Sequence, residues 1–485
     1  MRAFNRFVPA LAAAALLSAA GCEFLDPTQV DNPQTTAEDL ARADRPTEAL
    51  LPGLRAQFAR ALRAVVTISE NVSDNYSIHG TGLLKELDEP RAVLPPIINA
   101  TGGAGIYWNL QELRALGIFV IDDIIPADPT ATGEQRAEAL FYRGMAFLMF
   151  AENFVAAPLE RDAEPVAGED LLQLGIADFE ASLAAAPAGV RATAARAALA
   201  RAHRLAGDAA QAQSFAEDAL ADDAAFVFAQ DYDATSVDNT PNAFLVQRAL
   251  QEMQPLPRLD FLDPKYISEE SPIPFAKAEE MHLILADIAI EAGSYPVGAQ
   301  RIADAVALAR SRPTALFNDG DLRKNGDLTI RPRDSEIAVA ACETCPYRSG
   351  LVLDRPGTVV VPLISGSSLD PDSVRTLTAE GDVRHALHLA RQEILFLEGR
   401  RMSDLGIRLP MMLREIDANE NIDEGDFGTL PIVPDYIPDR DDMDLFVPQS
   451  PYEGQTDPVL IDTTVYMLVD MNRVLADARV SPLTP

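Results

Sequence analysis

The chain has 485 residues, 48% of them hydrophobic and 24% charged, a globular composition that excludes intrinsic disorder and is ample for a large core. Its 74 acidic residues against 40 basic ones give a net charge of −34, which opposes binding to nucleic acid or to anionic lipid head groups. It says little about a neutral ligand.

At the N-terminus Arg2 and Arg6 form a basic region ahead of an apolar run from Phe7 to Leu17. That run is about half of the ~20 residues a helix needs to span a bilayer, so a signal-peptide core fits it better. It leads into Ser18-Ala19-Ala20-Gly21-Cys22, where small residues at the two positions before a cysteine resemble the cleavage box of lipoprotein signal peptidase, with Ala19 where that box more often has leucine. We therefore expect residues 1–21 to be a signal peptide and Cys22 to be the lipidated N-terminus; an ordinary secretory signal with a chance cysteine is the alternative. Loss of Arg2 and Arg6 leaves 38 basic residues against 74 acidic, so the mature charge is about −36. No later segment has ~18 consecutive apolar residues, so no transmembrane span is expected. Residues 22–46 are polar and Pro-bearing and read as a tether, with 47–485 as one interleaved domain.

Helical periodicity begins near Thr47 and returns after Trp108 in QELRALGIFVIDDII. A long helix with an aromatic and methionine stripe follows over 133–154, then a second that stops at Pro187. In residues 191–224 two alanine-rich helices meet at Gly207-Asp208, with Leu199, Ala200, Gly207, Ala212 and Ala219 on tetratricopeptide spacing. Residues 279–312 repeat the spacing with Leu285, Ala286, Gly293 and Ala305. One such unit cannot bury its own apolar face, so the expected fold is mostly α: a tetratricopeptide-like scaffold of helical pairs with long loop and small hairpin insertions. Residues 222–275 and 313–380 read as those insertions, the latter with the β-branched run Thr358-Val359-Val360-Val361. The last long helical stretch is read over 383–406, ended by Gly406.

Cys342 and Cys345, in Cys-Glu-Thr-Cys, form an even pair in an exported chain and read first as a short-loop disulfide, with free thiols or thiol chemistry as alternatives. Asp417-Ala-Asn419-Glu-Asn421-Ile-Asp423 resembles half of a calcium loop, but Ile422 stands where the turn needs glycine and Gly428 where a bidentate glutamate belongs. A solvated acidic loop is preferred. His385 and His388 share a helix face without an evident third ligand, so no metal is expected. No HExxH, Walker-A, GxSxG or GxGxxG pattern occurs, and we expect neither a cofactor nor an enzyme.

Several segments, in order, carry one resemblance. Cys22-Glu23-Phe24-Leu25-Asp26 resembles the start of mature SusD/RagB proteins, and Tyr107-Trp108-Asn109-Leu110 the family's W-x-x-L/Y helix entry. The stretch containing Glu138, Arg143, Phe154 and Pro158 is similar to the family's early long helix. PIPFAKAEEMHLILADIAIEAGSY is similar to a later one, and Glu398, Gly399, Arg401, Asp404 and Leu405 keep the spacing of its E-G-x-R-x-x-D-L segment. We read that last cluster as structural, acids and arginines satisfying one another at a buried helix end.

The resemblance implies an outer-membrane lipoprotein that captures an oligosaccharide or a peptide and hands it to a SusC-like TonB-dependent transporter. A tetratricopeptide-type adaptor lipoprotein that assembles other envelope proteins is the alternative. Aromatic residues are only 6% of the chain, with one tryptophan, which argues against starch as the ligand. Ring faces suit both sugars and peptides. Tyr76, in the polar stretch NVSDNYSIHG, and the pair Tyr107 and Trp108 are therefore the leading ligand-binding candidates, with Tyr266 and Tyr347 behind them. For Trp108 and Tyr76 a core role is the competing reading.

Overall fold

The computed structural model describes residues 44–78, 85–100, 105–248, 253–318, 335–354, 357–439, 442–448 and 464–483. The expected signal segment, Cys22 and the expected tether as far as residue 43 lie outside the described residues. The chain is mostly helical. Among the described residues the main α-helices are α1 (Pro46–Val72), α2 (Pro95–Ala100), α3 (Ile106–Ile118), α4 (Gly133–Asn153), α5 (Gly168–Ala185), α6 (Val190–Leu205) and α7 (Ala209–Asp222). They continue as α8 (Ala278–Glu291), α9 (Tyr295–Arg310), α10 (Pro371–Arg375), α11 (Glu380–Ile394), α12 (Arg401–Asp404), α13 (Leu413–Ala418) and α14 (Met471–Asp477).

Local chemistry sets several of these ends. Thr132 and Gln135 exchange side-chain and main-chain bonds in a capping box that starts α4. Asp208 caps α7 through the Gln211 amide. Both alanine-rich pairs turn on a glycine in the left-handed region, Gly207 at φ 77° and Gly293 at φ 72°. Gly207 N donates to Arg204 O at 3.1 Å and Asp208 N to His203 O at 2.9 Å. Gly293 N to Ile290 O at 2.9 Å and Ser294 N to Ala289 O at 2.8 Å repeat the pattern, so each first helix ends in the same doubly bonded C-cap.

The repeat positions explain how the pairs stack. Leu199, Ala200, Ala212, Ala219, Leu285, Ala286 and Ala305 are all buried, and small side chains let neighbouring helices approach closely. Helices α4 and α5, α6 and α7, and α8 and α9 pack as antiparallel partners, with α5 on α6 and α7 on α8 joining one pair to the next. A main core runs through α1, α3 to α8 and the later loops. A second cluster lies between α8, α9 and α11.

The strands are short and lie in the insertions. Tyr76–Ile78 pairs antiparallel with Met253–Pro255, Val227–Gln230 with Ile273–Lys277, and Thr358–Pro362 with Thr314–Asn318. Ala156–Pro158 and Pro165–Ala167 form a hairpin between α4 and α5. In the turn joining strands Ala338–Ala340 and Tyr347–Arg348, Cys342 and Cys345 are bonded to each other with their Cα atoms 5.0 Å apart.

The last helical stretch departs from its sequence reading. Helix α11 stops at Ile394, the chain turns through Leu397 and Gly399, both at positive φ, and α12 resumes only at Arg401. The interruption is set by packing: a Cβ on Gly399 would sit 2.9 Å from Val65 Cγ1 of α1, so only glycine allows this approach. It carries Glu398 into the core.

Candidate functional site

Adjacent positions on a helix are about 100° apart, so one can face the core while the next faces out. On α3 that is the fate of Tyr107 and Trp108. Tyr107 is 1% exposed, edge-on to Phe150 at 5.2–5.6 Å together with Phe154, whereas Trp108 is 56% exposed. The core reading of Trp108 does not hold. Gln111, Glu112 and Ala115 lie three, four and seven positions further along the same outer face, and with Trp108 they form one wall of a cleft of ≈ 400 Å³.

The opposite wall comes from two remote segments. Pro158, Glu160 and Arg161 belong to the 156–167 hairpin, and Met412, Arg414, Glu415 and Ala418 to α13 and its approach. Arg114 holds the hairpin to α3: its Nε donates to Gln111 Oε1 at 2.9 Å and its Nη1 to Leu159 O at 2.5 Å. Burial pushes the Arg114 guanidinium below its ordinary value, against the pull of Tyr107 and Glu415. At the floor the Tyr107 hydroxyl meets Gln111 and Glu415, and burial raises the Glu415 carboxyl. The result is an exposed indole face ringed by amide, carboxylate and guanidinium groups. Such a ring takes the C–H face of a pyranose while the rim bonds its hydroxyls.

Two of the three proposed ring residues are corrected here. Tyr76 is fully buried on its strand, its hydroxyl 2.9 Å from Asp263 Oδ1 and its ring stacked on Phe396 at 5.8 Å. No ligand reaches it without opening the core. Tyr107 reaches the cleft only through its hydroxyl edge. The weaker candidates do not join the cleft either: Tyr266 is buried with its hydroxyl on Leu397 O, and Tyr347 lies by the Cys342–Cys345 turn. What the sequence reading missed are the hairpin and α13 residues. Only tertiary contacts identify them, 45 and 47 positions apart where the hairpin meets α3 and far more distant for α13.

A larger groove of ≈ 930 Å³ runs by the N-terminal ends of α1, α4 and α6. It is a weaker candidate for ring stacking because Tyr142 and Phe275 are nearly flush at 7% and 9% exposure. Its charges satisfy one another, Arg45 with Glu48 and Arg55 with Glu138.

The E-G-x-R segment is closed to solvent and internally paired. Glu398 Oε1 accepts from Lys265 Nζ at 2.6 Å and Lys277 Nζ at 2.5 Å. Arg401 binds Asp74 through two nitrogens at 2.6 and 2.7 Å, Arg391 binds Asp404 at 2.8 and 2.9 Å, and Arg400 faces Glu280 at 3.4 Å. His385 Nε2 sits 3.1 Å from Asp470, while His388 is buried among these arginines, its pKa pushed down to about 3 by burial and by Arg401. In the acidic loop, Asn419 and Asn421 turn their amides to the carbonyls of Ala163 and Asp162. Among the described residues no three His, Cys, Asp or Glu side chains are grouped to hold a metal ion, and no helix is long and apolar enough to cross a membrane.

No protein-family model matches the sequence, and no curated protein matches it. Solved structures do. A laminarin-binding SusD-like protein shares 11% identity, with a TM-score of 0.52 over 78% of this chain and 98% of that one. A SusD superfamily protein from Bacteroides fragilis shares 13% identity, with a TM-score of 0.50 and the same two coverages.

Proposed function

The chain has a SusD-like fold, and from it we propose that this is a cell-surface binding lipoprotein of the SusD/RagB kind, which captures an oligosaccharide without turning it over. The observation that carries the reading is the exposed Trp108 indole in a cleft bordered by polar side chains from three segments. The captured ligand passes to a SusC-like TonB-dependent transporter, a step supported by the sequence resemblance alone.

Calorimetry with a panel of oligosaccharides, laminarin fragments included, tests the site. Trp108→Ala should weaken the best ligand roughly tenfold or more. Because the ring is largely solvated, the unfolding free energy should move by no more than about 0.5 kcal/mol. Unchanged affinity in that variant would remove the cleft from consideration. If no oligosaccharide binds the native protein, the glycan reading itself fails.

The lipid anchor at Cys22 is part of the same proposal, supported by the apolar run and the Gly21-Cys22 junction. Cys22→Ser should shift the protein from the membrane to the soluble fraction, with loss of acyl mass at the N-terminus. A variant that still partitions with membranes places the anchor elsewhere.

A further inference from the structure

At the base of the 156–167 hairpin, sharing no lining residue with the Trp108 cleft, lies a second cavity of ≈ 400 Å³. Its walls are apolar, with Phe154, Leu172 and Leu205 behind and Phe427 and Ile432 at the mouth. Those last two are 57% and 50% exposed, and Leu430 between them is 55% exposed. Large apolar side chains left together at a concave opening mark a binding surface more often than scattered ones do.

One cation reaches into this cavity, Arg408. The buried arginines Arg201, Arg204, Arg258, Arg391, Arg400 and Arg401 each face a carboxylate. Among the described residues Arg408 has no carboxylate within ion-pair reach. Its Nε donates to Ala151 O at 3.0 Å and its Nη1 to Ile407 O at 2.9 Å, both main-chain oxygens. Burial holds its pKa below the ordinary guanidinium value. Glu152 and Asp404 pull the other way from beyond ion-pair reach, but they are bonded to Arg201 and Arg391, and a buried cation with no carboxylate of its own in contact gains from an anion arriving with a ligand.

We propose that this cavity binds a small amphiphilic carboxylate, its charged end on Arg408 and its apolar body against Leu205, Phe427 and Ile432. Such a group occurs on a free fatty acid or at the C-terminus of a peptide ending in an apolar residue. The cavity is separate from the Trp108 cleft, and the proposal stands or falls independently of it. Glu169, exposed at the rim, is a like charge that tempers the affinity.

Ligand-observed NMR titrations of the full chain with octanoate, 1-octanol and N-acetyl-leucine test this. Octanoate should bind about tenfold tighter than the isosteric alcohol, the usual size of one charge-assisted contact. Arg408→Gln should erase that preference, and Glu169→Gln should tighten octanoate, a gain that damage to the fold cannot produce. Whichever of octanoate and N-acetyl-leucine binds more tightly names the source of the carboxylate. The proposal is overturned if octanoate shows no saturable binding, if octanoate and octanol bind alike, or if the preference survives in a folded Arg408→Gln protein. Should that variant not fold, the Glu169→Gln result decides, and unchanged or weaker octanoate binding there rejects the site.

Discussion

Replacing Glu398 by alanine should lower the unfolding free energy by about 3–5 kcal/mol, the usual cost of leaving a buried charge without its partner. The side chains of Glu398, Lys265 and Lys277 are at most 2% exposed. Both lysines donate to the same carboxylate oxygen, so the substitution leaves two ammonium groups facing each other inside the protein. Lys265 already feels this, its pKa pushed down by burial to about 8 despite the pull of Glu398. Without the carboxylate it should release its proton more readily, so the penalty should shrink as pH rises. Urea titrations of native and Glu398→Ala protein at neutral pH and at about pH 9 check both points. A loss under about 1 kcal/mol at neutral pH would mean that the paired charges are not what holds the 257–265 turn, the strand Ile273–Lys277 and the 395–400 segment together.

Glu70 should make the protein lose about 3 kcal/mol of stability between roughly pH 4.5 and pH 7, relative to Glu70→Gln. Burial raises its folded-state pKa from 4.5 to about 7, opposed by hydrogen bonds from Asn75 and from the Gly399 and Leu397 amides. The unfolded chain gives up the proton first as pH rises. Stability from this group is therefore fully present below the unfolded pKa, falls through the window between the two values, and is flat above the folded one. Asp404 works against it only at lower pH, since Arg391 and Arg204 overcome its burial and hold it at about 2. Subtracting the pH–stability curve of Glu70→Gln from that of the native protein isolates the carboxyl, provided the variant retains its fold. Parallel curves across that window would show that Glu70 is ionised throughout.

The Glu398 and Glu70 sites also show where reading the sequence misled. The polarity of NVSDNYSIHG is what makes Tyr76 a ligand-binding candidate in the sequence. In the structure Asn71, Ser73, Asp74, Asn75 and Ser77 are buried with Tyr76. Asp74 is neutralised by Arg401, 327 positions away, and Asn75 receives a hydrogen bond from Gln392, 317 positions away. Polarity signals exposure only until a distant partner satisfies the group. The same holds for the Glu398 cluster, whose acids and bases could be read as mutually satisfying, although its two lysine partners, 133 and 121 positions distant, could not be named.

By itself the sequence determined the helical pairs, because their signals are local: apolar spacing, alanine at contact positions, and Gly207 and Gly293 where the chain must turn left-handed. The run at Thr358–Val361 marked a strand for the same reason. Only the tertiary structure decided which side of α3 is covered. Tyr107 and Trp108 are neighbours of similar chemistry, and what buries one and leaves the other open is α4 packed behind them and the hairpin and α13 across the cleft. Burial is a property of what the rest of the chain brings to a surface, and no local pattern of residues carries that information.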